Sequence, residues 1–357
     1  MNLLSFTFRW AAVALVLAGL CVACSQPPAS PAFAEAPFLW QAGLGDYVRG
    51  KPALADGVVY VGADDNALHA LKATNGEELW SAPAYDNVTA QPVVAPLAVC
   101  YASWDGAVRC VDRSTGAPLW EQQTAGPVSG DLASQQGVLY AASQDGRVYA
   151  FDLPTGEPIW RSAHLGSLYA GVLWAGDALY VPSLDDYVYA LSPADGAVLW
   201  QRRLAGDLYA LPAADDRALY IAGADRALYA LDPRDGHILW QRDLGSASQV
   251  SPVLLDGLVI AGTDDGHLQA FRARTGRDAW HLRTGGGILG GPVSCDGRLY
   301  AGSDDHGIYA TSARGQLLWR YVTAGQVLGA LECGAGRVYA GSADSALHAL
   351  STAEATP

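Results

Sequence analysis

No window of the 357 residues carries a sustained helical period, so no helical domain is expected. Metal-hydrolase patterns such as HxH and HExxH are missing, as are a Walker loop and a nucleophile elbow. The seven His are scattered, and no DxDxD-type loop offers calcium its usual frame. Cations are few: Lys and Arg total 22 against 36 Asp and Glu, a formal net charge of −14. This acidic balance argues against nucleic-acid binding and against a basic face on anionic lipid. The charges look dispersed, without runs. These absences exclude the common hydrolases, phosphate-cradling enzymes and nucleic-acid binders.

What is present is a ruler. Trp40, Trp80, Trp120, Trp160, Trp200, Trp240, Trp280 and Trp319 stand 40 residues apart, the last one residue early. An Asp recurs at Asp65, Asp105, Asp145, Asp185, Asp225, Asp265, Asp305 and Asp344. A small residue recurs at Ala70, Cys110, Ala150, Ala190, Ala230, Ala270, Ala310 and Ala349. A Gly recurs at Gly76, Gly116, Gly156, Gly196, Gly236, Gly276 and Gly315. A period near 40 signals an array of identical supersecondary units.

Each unit holds short apolar runs rich in Val, Leu, Tyr and Ala, punctuated by Asp-Gly and Thr-Gly pairs. Gly accepts positive φ without a Cβ clash, which suits hairpin turns. Four antiparallel strands per unit, A to D, make a β-propeller blade. The B strand is expected at Val58–Gly62, Ala98–Ala102, Val138–Ala142, Ala178–Pro182, Ala218–Ala222, Leu258–Gly262, Arg298–Gly302 and Arg337–Gly341. Trp40 opens the array on a D strand with no A, B or C before it, and the last unit ends at Leu350 with no Trp after it. The two fragments complete one blade. The fold class is therefore all-β: an eight-bladed β-propeller of four-stranded antiparallel blades, closed by the N-terminal strand. Its expected bounds are residues 37–351, followed by a tail at 352–357.

The segment Ala150, Asp152, Thr155, Gly156, Trp160 resembles the tryptophan-docking motif AxDxxTGxxxW of quinoprotein-type, PQQ-like propellers. Ala230, Asp232, Gly236 and Trp240 match nearly as well. The resemblance implies that each indole packs between its own blade and the next, with the small residue leaving room for the ring. The eight Trps are read as structural.

The first 24 residues form a signal segment. Arg9 is the only charge among the first 34 residues, and the apolar stretch from Ala11 to Ala23 is too short for a membrane span. Val22-Ala23-Cys24-Ser25 resembles a bacterial lipobox, with Cys21 where a Leu is usual. Cys24 is the expected lipidation site, and Ser25 resembles outer-membrane sorting. Cleavage after Ala34 or Ala36, giving a soluble exported protein, is the rival. Residues 25–36 are rich in Pro, Ala and Ser and read as a tether. Export permits disulfides among Cys100, Cys110, Cys295 and Cys333. Cys100 and Cys110 face each other on one hairpin, and Cys295 and Cys333 sit at A–B turns of consecutive blades. Alternatively, Cys110 simply fills the small position as a buried thiol.

Quinoprotein dehydrogenases share this propeller, but their adjacent Cys pair and long blade insertions are missing here. No cofactor, no metal and no catalytic residue are expected. The lipobox, tether and compact propeller are similar in plan to the lipoprotein of the outer-membrane β-barrel assembly complex, as is the segment from Lys51 to Tyr60. That resemblance implies a non-catalytic scaffold at the periplasmic face of the outer membrane, with an envelope protein partner such as a barrel insertase and a membrane contact through its lipid. An extracytoplasmic sensor or ligand-binding module is the alternative.

On the face shared by B–C and D–A connections, Tyr169, Tyr187, Tyr209 and Arg226 depart from the repeat, and Trp104 adds an indole. Exposed aromatics beside an Arg suit a partner-binding patch; equally, some of these Tyr could plug the central channel. Mass spectrometry of the mature N-terminus tests the export reading: a diacylated or triacylated Cys24 is expected, and an unmodified start at Glu35 or Pro37 overturns it.

Overall fold

A computed structural model describes residues 36–353, all within one compact unit. Cys24, the signal segment and the tether up to Glu35 lie outside the described residues, as does the end of the tail. Thirty-two strands, β1 to β32 in chain order, form eight four-stranded antiparallel sheets. Seven sheets are consecutive A-B-C-D blades. The eighth has the order β1-β32-β31-β30, so β1 (Phe38–Gly43) supplies the D strand beside β32 (Ala346–Ser351). Trp40 lies opposite Ala349 and Gly43 opposite Ala346. Blade 1 follows at Ala53 and blade 7 ends at Val322.

The B strands begin and end within a residue of their expected bounds; that of blade 5 runs Leu219–Ala222. They are buried throughout because each blade packs both faces against neighbours. The D strands alternate between exposed and covered positions because they form the outer rim. In every blade the C–D pairing carries a bulge directly after the small residue. The bulge sets the Trp opposite that residue, as in Ala150↔Trp160 and Ala230↔Trp240.

From there the indole reaches the next blade. Trp120 Nε1 donates to Leu153 O at 2.9 Å, Trp160 to Pro193 O at 3.0 Å and Trp240 to Ala273 O at 2.9 Å. Trp40, Trp80, Trp200 and Trp280 make the same bond to C–D turns one blade on. The recurring Gly lies on the ring. A Cβ at Gly156 would stand 2.5 Å from Trp120, and one at Gly315 2.5 Å from Trp280. Trp319 is buried, yet its Nε1 finds no acceptor among the described residues. The carbonyl at the equivalent position, Thr352, is taken by Arg298.

The disulfides fall at two departures from the repeat. Cys100 bonds Cys110 across strands B and C, in the slot held by Tyr60↔Ala70 in blade 1. Cys295 bonds Cys333, joining the A strands of blades 7 and 8.

Two alanine substitutions separate the docking contact from backbone strain. Gly137 and Gly156 have φ of 81° and 77°, but a Cβ on Gly137 meets nothing within 4 Å. Gly137→Ala should cost about 1–2 kcal/mol, the ordinary left-handed penalty. Gly156→Ala should cost about 1–3 kcal/mol more through overpacking on the indole. Equal losses in chemical denaturation would show that the Gly–indole contact contributes nothing.

Candidate functional site

The face shared by the B–C and D–A connections is built from the turn outward. In blade 3, Asp145 accepts the Arg147 N–H at 3.0 Å and the Tyr149 hydroxyl at 2.5 Å. Asp185 does the same with Tyr187 N at 3.1 Å and Tyr189 at 2.7 Å. Tyr229 and Tyr309 repeat the link to Asp225 and Asp305. His69 and His348 take the Tyr position, each with Nε2 3.0 Å from its Asp, and Arg109 takes it in blade 2 at 2.8 Å. Burial first, then donation to Asp305, pushes the Tyr309 hydroxyl up to about 12. The Asp105 carboxyl falls to about 2: burial opposes ionisation, but hydrogen bonds from Arg109, Ser103 and the Ala107 backbone outweigh it. These carboxylates are committed to their turns. Among the described residues no group of three or more His, Cys, Asp or Glu could hold a metal.

Each B–C turn is tied to a D–A loop by a backbone hydrogen bond, for example Leu184 N to Ser167 O at 2.9 Å and Ala224 N to Asp207 O at 3.0 Å. A second, side-chain tie follows in several blades. Trp104 Nε1 donates to Thr89 Oγ at 2.9 Å, Gln144 Nε2 to Ser129 Oγ at 2.9 Å and Gln249 Nε2 to Asp264 Oδ2 at 2.8 Å. Arg49 pairs with Asp64 in the same way. In blades 4 and 5 the corresponding loop positions are Tyr169 and Tyr209, and rings replace the polar tie. Trp104 meets Tyr169 edge-on with centroids 6.3 Å apart, and Tyr169 meets Tyr209 at 5.9 Å. Tyr169 remains 36% exposed.

This arc borders the central channel. Tyr169, Tyr209, Leu211, Val250 and Lys51 line a cavity of about 390 Å³ together with residues from other A strands. The two Tyr are therefore both channel wall and exposed rim. Tyr187 and Arg226 lie in the adjoining B–C turns, further out. Tyr187 is half-buried and packs on Tyr189 at 5.7 Å. Arg226 is exposed on a left-handed residue, φ 68°. Trp104, Tyr169 and Tyr209 thus come into contact, and no hydrogen bond or ring contact among the described residues joins Tyr187 or Arg226 to them.

One wall of the channel escaped the sequence reading. The innermost repeat position is Lys51, Gln91 and Asp131 in blades 1 to 3, but Gly171, Leu211, Ser251, Gly291 and Ala330 in the rest. Gln91 donates its backbone N–H to Asp131 at 2.9 Å and its side-chain amide to Pro52 O at 2.8 Å and Glu332 at 3.1 Å. Burial raises the Glu332 carboxyl, and nearby Lys51 partly offsets this. The channel is polar on the side of blades 8 and 1 to 3, and apolar opposite. Comparing A strands at the 40-residue spacing would have exposed this asymmetry, since a channel residue departs from the repeat for a reason other than blade packing.

Comparison with known proteins follows the same plan. Among curated protein sequences none matches this chain. Several solved structures share the fold at low identity. BamB from Moraxella catarrhalis is 18% identical, with a TM-score of 0.76 over 89% of this chain and 100% of its own. The computationally designed Ika8 protein is 18% identical, with a TM-score of 0.78 over 88% of this chain and 99% of that one. A quinohemoprotein alcohol dehydrogenase from Pseudomonas putida is 14% identical, with a TM-score of 0.73 over 90% of this chain and 76% of that one. The family model described as outer membrane protein assembly factor BamB matches residues 37–105, 104–208, 184–291 and 282–357, nearly the whole propeller. The chain therefore belongs to the BamB-type family of PQQ-like propellers.

Proposed function

We propose that this protein is a non-catalytic envelope scaffold that assists outer-membrane protein assembly. It docks a protein partner on the channel mouth of blades 2 to 5. The supporting observation is the contacting arc Trp104–Tyr169–Tyr209, with Arg226 exposed in a B–C turn of the same face. Aromatics and Arg dominate interface hot spots because they bury large area at small entropic cost. Family membership supports the assembly role, and the lipobox-like Cys24 supports an exported protein held at the periplasmic face of the outer membrane.

The channel supports a scaffold over a quinoprotein. Pyrroloquinoline quinone is itself polyanionic, whereas the channel sets one cation, Lys51, against Asp131 and Glu332. The set does not fit that cofactor, and no chemical step is drawn through it. The asymmetric cavity does favour one second reading, a small-ligand sensor.

Affinity capture of the lipidated protein from its own envelope tests the proposal. Recovery of a barrel insertase is expected. Tyr169→Ala combined with Arg226→Ala should weaken that capture by about 2 kcal/mol or more, the scale of a hot spot. Stability should fall by about 1–3 kcal/mol through loss of the two ring contacts of Tyr169, whereas Arg226→Ala alone should stay within about 0.5 kcal/mol. Charge reversal at Arg226 should weaken capture further if the partner edge is acidic. A variant that melts early yet still captures the insertase would return these side chains to the fold. Dye reduction with added quinone and calcium would overturn the non-catalytic assignment.

A further inference from the structure

The opposite face, formed by A–B and C–D turns, gathers cations on one sector. The C–D turn of blade 6 reads Arg272-Ala-Arg274-Thr-Gly-Arg277-Asp278. Blades 2, 3 and 5 place Asp112, Asp152 and Asp232 at the first of these positions, where the carboxylate helps close the turn. Asp112 accepts Thr115 N at 2.9 Å, and Asp152 accepts Thr155 N at 3.0 Å. Blade 6 keeps the backbone closure that these turns share, with Thr275 and Gly276 N–H donating to Arg272 O at 3.1 and 2.8 Å, as Gly116 N–H does to Asp112 O at 2.8 Å. The turn therefore persists without the acid.

Arg272, Arg274 and Arg277 are exposed, and among the described residues their guanidinium groups make no hydrogen bond or ion pair. Arg242 joins them from the D strand of blade 5, with Nη2 donating to Thr275 O at 3.2 Å and the guanidinium 6.0 Å from the Trp240 ring. Arg314, in the C–D turn of blade 7, is exposed as well. Against these five cations the blade 6 C–D turn sets Asp278, and the A–B turn bonded to it through Ala273 N and Gly257 O adds Asp256. Leu239 is 48% exposed on the neighbouring D strand, next to the Trp that docks under this turn.

The chain leaves the propeller on this same face. Phe38 pairs with Leu350, at the C–D end of blade 8, and Ser351 N donates to Pro37 O at 2.8 Å. Residues 25–36, fully extended, span at most about 40 Å. A lipid on Cys24 would therefore keep this face, not the Tyr arc, near the membrane.

From this arrangement we propose that the sector of Arg242, Arg272, Arg274, Arg277 and Arg314 seats on the phosphate headgroups of an anionic lipid surface. The orientation argument rests on the lipoprotein reading above; the headgroup contact does not. The net charge of −14 is no obstacle, because exposed charges beyond a Debye length of about 8 Å are screened at physiological salt. The local excess decides the contact. Exposed guanidinium groups suit phosphate oxygens, which they bind in pairs, and Leu239 can enter the headgroup boundary.

The test uses the full-length chain carrying Cys24→Ser, so that no lipid can be attached. Its sedimentation is measured with phosphatidylcholine vesicles, with and without phosphatidylglycerol. Preferential binding to the anionic vesicles is expected, falling as salt rises. The triple change Arg272→Gln, Arg274→Gln, Arg277→Gln should lower that binding about 100-fold, at about fivefold per basic residue, with the melting temperature unchanged. Arg226→Gln, on the other face, should leave it intact. The apolar segment 11–23 is common to all these proteins, so the contrast between vesicles and variants isolates the sector. Equal binding to neutral vesicles, or a triple variant that binds as well as its parent, overturns the proposal. So does a triple variant that keeps its vesicle binding and loses capture of an envelope protein, which would assign the sector to an acidic protein partner. Because no lipid is present, a negative result here leaves the Cys24 assignment standing, and an unlipidated Cys24 leaves this contact standing.

Discussion

Everything in this ring depends on one contact: an indole held in the C–D turn of the following blade. Its Nε1 needs an acceptor, its face needs a residue without a Cβ, and its edge needs a small residue on the C strand. Seven blades meet all three demands, as Trp120 does with Leu153, Gly156 and Cys110. A buried Trp removes roughly 150–250 Å² from water, so the contact carries much of the cohesion between blades. A four-stranded blade is hydrophobic on both faces and cannot stand alone. The repeat of the Trp, Gly and Ala positions is thus the repeat of the interface.

The eighth interface shows what replaces the contact. Blade 8 is assembled from both ends of the chain, so its C–D connection is not a closed turn. Trp319 finds no acceptor there, and Arg298 takes the Thr352 carbonyl. Blades 7 and 8 are joined instead by Cys295–Cys333, and blade 8 itself by the pairing of β1 with β32. A covalent cross-link stands at the interface where, among the described residues, the indole's hydrogen bond is missing. A cross-link acts chiefly by limiting how far its two elements separate in the unfolded chain.

A regular scaffold turns departures into information, and their legibility differed. Tyr169 and Tyr209 stood out because their loop position holds Arg49, Thr89, Ser129, Gln249, Leu289 or Leu328 in the other blades, and Trp104 and Arg226 because no other blade places an indole or a guanidinium at their turn positions. Their contact geometry did not, since a 40-residue period says nothing about which way a ring leans. Lys51, Gln91 and Asp131 stand at one repeat position on adjacent blades, so the 40-residue spacing aligns them, but only the fold brings Glu332 of blade 8 to Gln91. The reading of charges as dispersed passes over Arg272, Arg274 and Arg277, three cations in one turn, and the fold adds Arg242 to them. Arg242 lies 30 residues before Arg272, yet docking of Trp240 brings it onto the same turn.

The sequence by itself determined blade number, strand order, the closing strand and the structural role of the Trp, Asp and Gly positions. These follow from periodicity and local turn chemistry, which are properties of neighbours along the chain. Tertiary structure alone decided what faces what. It divided the channel into polar and apolar walls, brought Trp104, Tyr169 and Tyr209 into one aromatic arc, and set that arc and an arginine sector on opposite faces. The reason is geometric. In a closed ring, residues far apart in the chain meet through blade-to-blade stacking and across the axis, and no linear pattern records those distances.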